Sequence, residues 1–521
     1  MSTSVSNSRQ RILSLWLKRL PTDRVARQAP PKAALAVVGK RGNAEQLVAV
    51  NEAAERLGLG CGLALAQARA MHPDLDAVPE DASADAQLRD AIADWCVRYT
   101  PLVATEGSDG LLLDIGGCAH LFGGEAALLS DLATRLTRFG FALRAAIADT
   151  IGAAWAASHF SEARIVASGA ERTLLAPLPL AALRLPDDTV AVLKRVGLKR
   201  IADIIDLPRS PLAARFGGGL LRQLDRALGR EREPLSPRLP VPPYFSEQPF
   251  AEPIAREEDV LAVTQRLAAR LAVMLEQRGE GARRVELRLF RTDGAVRCID
   301  AGTSRPIRDP QAIRKLFVER LAAVGDELDP GFGFDLARLS VLAAEPLRPE
   351  QVNLGHQENA AELDGLVDRL AARLGSRRIA RLVAQDSHIP ELAAAALPAQ
   401  LSITRRENGW EGFRRFRAAV ELAPRPLRLL AKPERIQVAP MEVDKPPIKF
   451  QWRRAWHEVA SADGPERIEA AWWTDLEGRT RDYFRVEDRA GRRFWLFREG
   501  LYRDQEWEER FPLWFMHGFF A

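Results

Sequence analysis

Few acidic residues in the first third of the chain could hold a metal, and their spacing is informative. Glu106, Asp109 and Asp114 stand in the run Glu106-Gly107-Ser108-Asp109-Gly110-Leu111-Leu112-Leu113-Asp114. Two-metal phosphoryl transfer needs carboxylates clustered at strand ends, because two Mg²⁺ ions must sit a few ångströms apart. Leu111–Ile115 reads as a buried strand, which puts Asp109 and Asp114 at opposite ends of it. The other candidate strand, residues 11–17, offers Trp16 and no carboxylate. With Gly110 following Asp109, one carboxylate is left for two ions. The expectation is a degenerate site at Trp16, Asp109 and Gly110, with no catalytic residue and no bound metal. Cys61, Cys96, Cys118 and Cys298 are far apart and form no Cys-x-x-Cys pair, and the seven histidines are dispersed. Neither a zinc site nor a disulfide framework is expected, no cofactor is implied, and a reducing cytoplasm fits.

The elements that would position these residues alternate. Residues 11–17 and 33–38 are β-compatible runs, and residues 51–58 and 63–72 have helical spacing with glycines between them. Residues 85–98 read as an amphipathic helix, 111–115 as a strand, 122–138 as a helix, 141–148 as a strand and 151–160 as a helix. This is the pattern of an α+β domain. At 521 residues the chain makes several domains. Its net charge is +4, but residues 181–235 hold 11 Lys/Arg against 7 Asp/Glu and residues 281–320 hold 10 against 5. Local excesses of this kind suit a surface that tracks DNA. The polar N-terminus (Ser2 to Gln10) and the lack of a run of about 18 apolar residues give no sign of a signal peptide or membrane span.

In order and spacing, these segments resemble the Y-family (translesion) DNA polymerases over about residues 8–345. Where that family has Asp-x-Asp-x-Phe-Phe, this chain has Trp16, Lys18, Leu20 and Pro21. Where it has Ser-x-Asp-Glu-x-x-Leu-Asp-Leu, Asp109, Leu113 and Asp114 match and Gly110 replaces the Glu. Where it has the triphosphate-gripping Tyr-Glu-Ala-Arg, this chain reads Asn51-Glu52-Ala53-Ala54. Loss at several positions that serve one reaction, together with a C-terminal extension, is similar to the ImuB-type family of bacterial mutagenesis proteins. The resemblance implies a multidomain α+β hand. The palm would be residues 1–19 and 76–165, the fingers 20–75, a helical thumb 166–240 and the DNA-binding little finger 245–345. An extension would follow: a clamp-binding linker 346–359, a helical region 360–422, a linker 423–447 and a β-rich module 448–521.

Candidate DNA contacts lie in two of these domains. Leu193–Ile204 resembles a helix–hairpin–helix, whose backbone N–H groups meet a DNA phosphate; Arg195, Gly197, Lys199 and Arg200 are its contact residues. Asp187-Asp188 replaces the preceding Gly-x-Gly hairpin. Past the proline-rich stretch 234–243, residues 260–277 read as a helix, and strand 283–291 puts Val285, Leu287 and Leu289 on one face. Arg284 and Arg288, on the other, and a loop Thr303-Ser304-Arg305 are the phosphate-contact candidates.

Gln351-Val352-Asn353-Leu354-Gly355 resembles the peptide by which bacterial polymerases dock on the sliding clamp, the DNA polymerase III beta subunit; Gln400-Leu401-Ser402-Ile403 is a second candidate. Residues 385–392 resemble an ImuB-family signature of unknown chemistry. Seven of eleven tryptophans follow position 450, and runs at 482–486 and 493–497 read as strands joined at Ala490-Gly491. Aromatics at this density build either a small core or a binding surface. The resemblance implies a non-catalytic adaptor in DNA damage tolerance and induced mutagenesis, cytoplasmic and nucleoid-associated. It would bind primer–template DNA and the clamp, and recruit an ImuA-type RecA-like protein and an error-prone DNA polymerase III alpha-type subunit. The alternative is a divergent Mg-dependent polymerase built on Glu106, Asp109 and Asp114; a third reading is a general DNA-binding structural protein.

Overall fold

The structure, a computed structural model, describes residues 10–29, 34–347, 358–385, 387–401, 424–439, 445–469, 480–499 and 513–520. The chain divides into two units, Met1–Val352 and Asn353–Ala521.

The first unit begins with β1 (Ile12–Trp16), α1 (Leu20–Gln28), β2 (Leu35–Arg41), β3 (Ala44–Val50), α2 (Glu52–Arg56), α3 (Leu65–Met71) and β4 (Asp76–Pro79). It continues through α4 (Ala82–Cys96), β5 (Val103–Glu106), β6 (Gly110–Asp114), α5 (Glu125–Arg138), β7 (Arg144–Ala148) and α6 (Ile151–Phe160). The palm sheet runs β5-β6-β1-β7, and β1 lies antiparallel to both neighbours. Leu13, Leu15 and Leu17 face one side, packed with Trp95, Tyr99 and the α5 leucines. Ile12 faces the other, with Ala146, Ala148 and the alanines of α6. That alternation fixes register, because a one-residue slip would turn every apolar side chain to the wrong face. The small fingers sheet is β3-β2-β4.

The thumb is a bundle of short helices: α7 (Glu171–Leu175), α8 (Asp187–Arg195), α9 (Ala202–Ile205), α10 (Arg209–Phe216) and α11 (Gly218–Ala227). Leu180, Leu193, Ile201, Leu220 and Leu224 are in its core. The proline-rich stretch then follows the palm edge, where the Arg238 N–H donates to the Val103 carbonyl (2.8 Å). The little finger is β8 (Tyr244–Ile254), α12 (Glu257–Gln277), β9 (Glu280–Arg291), β10 (Val296–Ile307), α13 (Pro310–Val324) and β11 (Phe334–Pro346), with strand order β10-β9-β11-β8. Strands β8 and β10 are absent from the sequence reading; their apolar residues alternate irregularly, and β10 carries a bulge between Gly302 and Ile307.

The second unit holds α14 (Glu358–Leu374), a hairpin of β12 (Ala380–Ala384) and β13 (Ala394–Pro398), and a closed barrel. The barrel strands are β14 (Arg428–Val438), β15 (Lys449–Trp452), β16 (Ala455–Ile468), β17 (Arg481–Asp488), β18 (Arg493–Glu499) and β19 (Leu513–Phe519). Closure of β19 on β14 leaves no free edge. Two boundaries of the sequence reading need correction. Residues 360–422 include a β-hairpin, because β12 and β13 pair in register (Ala380 opposite Pro398). Residues 423–447 contain barrel strand β14, with Ile436 buried in the barrel core; Pro433 lies within the strand, where its pairing with β19 shifts register between Leu429 and Glu434.

Candidate functional site: the palm strand ends and the basic surfaces

Pairing of β1 with β6 and β7 sets Trp16 opposite Gly110 and Arg144. The indole Nε1–H donates to Asp109 Oδ2 at 2.9 Å, so the remaining acid already serves a protein donor. The Leu17 N–H also donates to the Asp109 carbonyl at 2.8 Å. Trp16 stacks on His159 of α6 with centroids 4.3 Å apart, and His159 stacks on Trp155 at 4.0 Å. His159 Nδ1 lies 2.9 Å from the Trp155 carbonyl, so that nitrogen carries the proton. Burial holds this imidazole below its ordinary pKa. The aromatic ladder was not legible in the sequence, because only the fold brings residue 159 beside residue 16.

Position 110 is closed to a side chain. A Cβ there would sit 2.6 Å from the Glu106 carbonyl oxygen, closer than real Cβ contacts come. Glu106 itself pairs with Arg184 (3.2 Å), which also binds Glu233 (2.6 Å). Asp114, at the far end of β6, accepts the Gly116 N–H at 3.0 Å and caps a turn. Among the described residues no group of three or more His, Cys, Asp or Glu could hold a metal ion. These side chains do not fit two Mg²⁺ ions.

The fingers side of the site is filled in the same manner. Asn51 caps α2, its Oδ1 accepting the Ala54 N–H (2.9 Å) and the Leu35 N–H (3.1 Å). Ala54 is fully buried. Arg19 reaches Glu55 (2.5 Å) and Glu52 (3.3 Å), and Lys18 reaches Glu55 (3.2 Å). Arg19 foremost, with Lys18, holds the Glu55 carboxyl below its usual range. Basic groups at the palm–fingers junction therefore serve ion pairs within the chain.

In the thumb, Gly197 has φ +89°, which lets the hairpin turn tightly between α8 and α9. Arg195, Lys199 and Arg200 are exposed. The backbone N–H groups of Lys199 and Arg200 both donate to Asp203 Oδ2 at 2.8 Å. The hairpin's donors thus already have an acceptor, and Asp203 was not singled out from the sequence. Asp187 and Asp188 lie in the first turn of α8, where the helix dipole favours them.

The little finger corrects three DNA-contact candidates. Val285, Leu287 and Leu289 are fully buried, but the opposite face of β9 is not open. Phe290 and Leu336 join the palm core, and the Arg338 Nη1–H donates to the Val97 carbonyl at 2.7 Å. Asp335 bridges Arg98 (3.1 Å) and Arg135 (2.7 Å). Arg288 on that face is 8% exposed and bonded to Glu286 (2.5 Å), so it is not a surface cation. Arg284 is exposed and meets Asp300 at 3.1 Å. Thr303-Ser304-Arg305 is no loop: it lies in β10, with Thr303 and Ser304 buried and the Thr303 hydroxyl donating to the Ala282 carbonyl (3.1 Å).

Gln351, Val352, Asn353, Leu354 and Gly355 lie outside the described residues. At the second clamp candidate, Gln400 is buried and its amide donates to Asp368 Oδ1 (3.1 Å), while Leu401 is exposed. The 385–392 segment braces its own unit: His388 Nε2 lies 2.8 Å from the Glu469 carbonyl, and Glu391 pairs with Arg481 at 2.6 Å. In the barrel Trp495 and Trp514 are core residues; Trp456 is half exposed. Trp472, Trp473 and Trp507 lie outside the described residues.

Residues 24–159 match the impB/mucB/samB family, and residues 243–354 match the C-terminal domain of that family. Protein ImuB of Caulobacter vibrioides (strain NA1000 / CB15N) is 41% identical over 478 residues, covering 89% of this chain and all of the relative. The chain belongs to the ImuB family. A DNA polymerase IV of Opitutus terrae is 25% identical over 246 residues, covering 44% of this chain and 62% of that protein. ImuB-family membership and polymerase-like domains support a role in DNA damage tolerance. Solved structures with a related chain trace include an insertion ternary complex of Dbh DNA polymerase. It is 13% identical, with TM-score 0.38, over 64% of this chain and 99% of that one. DinB from Sulfolobus solfataricus gives 13% and 0.38 over 65% and 100%. No helix among the described residues is long and apolar enough to cross a membrane.

Proposed function

We propose that this ImuB-family chain is a non-catalytic, polymerase-shaped adaptor. It would hold primer–template DNA and the sliding clamp, and recruit the RecA-like accessory protein and the error-prone polymerase that does the synthesis. The observation that carries the reading is the bond from Trp16 Nε1–H to Asp109, opposite a position 110 that cannot accept a side chain without displacing the Glu106 carbonyl. A site that had merely lost one ligand would leave the rest poised. Here the remaining acid, the neighbouring Glu106 and the cations Lys18 and Arg19 at the palm–fingers junction each have a protein partner.

Without chemistry of its own, the protein acts through what it holds. The thumb presents Arg195, Lys199 and Arg200, and the little finger presents Arg284. Gln351–Gly355 is the proposed clamp peptide, with the Gln351 amide and Leu354 as anchors. The engagement of Gln400 with Asp368 favours it over the second candidate. Residues 356–521 are the proposed recruiting half. Clamp co-elution tests the reading. Gln351→Ala with Leu354→Ala is expected to abolish it and leave DNA binding intact, whereas truncation after residue 355 is expected to spare both and lose the two protein partners. Retention of both partners by the truncated chain would move recruitment onto the hand and refute this assignment.

A further inference from the structure

Among the described residues Trp456 is the one exposed tryptophan. Trp495 and Trp514 are buried in the barrel, and Trp452 packs against its core with the indole Nε1–H donating to Glu434 at 2.8 Å. Trp456 stands on β16 with 48% of its surface open. Strand register says what surrounds it. Phe450 of β15 pairs with His457 of β16, and both are buried inside the barrel. Alternation then turns the neighbouring pairs outward: Gln451 with Trp456, and Lys449 with Glu458. On the far side of β15, Gln437 of β14 pairs with Gln451. Gln437, Gln451 and Trp456 therefore make one row across the outer face of three strands. Arg435 precedes Gln437 by two residues on that face, and Arg453 and Arg454 form the adjoining β15–β16 turn.

The face is cationic. Arg435, Lys449, Arg453, Arg454 and Arg489 stand against Glu434 and Glu458. Arg453 takes Glu434 (2.5 Å), and Arg489 (3.1 Å) and Lys449 (3.8 Å) offset Glu458. Arg435 and Arg454 are exposed. The Lys449 ammonium lies 5.3 Å from the Trp456 ring centre, which joins a phosphate-binding charge to a stacking surface. Interfaces between proteins centre on apolar anchors and shed charge there. This indole instead has two glutamines in its row and bases at its rim. An open aromatic face beside amides and cations suits a base, its edge and its phosphates, provided that the base is unstacked. We infer that the outer face of β14–β16 binds single-stranded DNA, with Trp456 stacking on a base, Gln437 and Gln451 beside it, and Arg435, Lys449 and Arg454 meeting phosphates. The choice of DNA over RNA rests on the polymerase-shaped reading of the hand; the contact itself is separate from those of the thumb and little finger.

Fluorescence anisotropy of the full chain with an oligothymidylate of about 16 nucleotides, an oligouridylate of the same length and a blunt duplex tests this. Trp456→Ala is expected to weaken oligothymidylate binding by about fivefold or more and to leave duplex binding unchanged, while Trp456→Phe keeps most of the affinity. Arg435→Ala and Arg454→Ala should each flatten the salt dependence on the single strand by about 0.7. These side chains are exposed, so an unchanged thermal melt is the folding control. A strand carrying 5-iodouracil should photocrosslink to the peptide that contains Trp456, a result that a purely structural role would not give. Arg195→Ala with Arg200→Ala should lower duplex affinity and spare that crosslink; if they leave duplex binding unchanged while Trp456→Ala still releases the single strand, the thumb assignment fails and the barrel site stands. Oligothymidylate affinity indifferent to Trp456→Ala, or crosslinks confined to residues 1–352, would overturn the inference. So would stronger binding of the oligouridylate, which would assign the face to RNA, or a Trp456→Ala chain that keeps the single strand and loses a protein partner.

Discussion

Replacing Trp16 by Phe is the most informative single change in the palm. The substitution keeps a ring to stack on His159 and deletes only the Nε1–H that donates to Asp109. A hydrogen bond to a charged group contributes about 1.5–3 kcal/mol, and partial exposure of both residues puts this one near the lower end. Trp16→Phe should therefore cost about 1–2 kcal/mol. Trp16→Ala also loses a stacked aromatic pair, about 0.5–1.5 kcal/mol, and leaves a void, for roughly 3–5 kcal/mol in all. Asp109→Ala should cost about 1–2 kcal/mol by leaving the indole donor unpaired. If the bond is the reason both residues are present, Trp16→Phe and Asp109→Ala are not additive: the double variant recovers about 1 kcal/mol or more relative to the sum. Urea unfolding of the four proteins gives the cycle. Additivity within about 0.5 kcal/mol would refute the claim that Asp109 is a structural acceptor for Trp16.

Restoring the family's acid with Gly110→Glu should destabilise the palm by about 1–3 kcal/mol or more, since its Cβ meets a backbone oxygen at 2.6 Å; a thermal melt that is unchanged would show the turn is compliant. Burial pushes the Asp23 carboxyl up to about 6, above its unfolded value near 3.9, so the ionised form costs stability. That penalty is absent below about pH 4 and complete above about pH 6, so Asp23→Asn should stabilise by about 1–2 kcal/mol at pH 7.5 and by nothing at pH 3.5; a gain equal at both values contradicts it. For DNA, Arg195→Ala and Arg200→Ala should each flatten the plot of log K against log[salt] by about 0.9 on duplex. Asp203→Ala should strengthen binding by freeing two N–H donors and removing a charge, and Arg288→Ala should act through stability alone. A slope moved by Arg288 and not by Arg195 would reverse the surfaces assigned here.

How much of this was legible depended on whether the deciding contact was local. Palm elements could be read because apolar runs such as Ile12–Leu17 and Leu111–Ile115 are visible in the sequence, and the lack of a carboxylate at positions 16 and 110 is visible as residue type. The replacement chemistry was not legible. His159 meets Trp16, and Arg184 meets Glu106 and Glu233, only through tertiary structure. Strand alternation puts Arg288 on the face opposite Val285, Leu287 and Leu289, but alternation cannot say that this second face is packed on the palm through Phe290. Strand β10 reads as a loop at Thr303-Ser304-Arg305 because a bulge interrupts its register. Prolines within and around β14 imitate a linker in a stretch that forms a barrel strand.

Primer extension by the purified chain tests the central claim most directly. With Mg²⁺ or Mn²⁺, all four dNTPs and a primed template bound in excess protein, no incorporation above a buffer control is expected, and Asp109→Ala should be indistinguishable from wild type. Each 1.36 kcal/mol of lost transition-state stabilisation is about tenfold in rate, so a palm without preorganised ligands falls many decades below a polymerase. Template-directed incorporation that Asp109→Ala abolishes would contradict the account and establish a divergent polymerase instead.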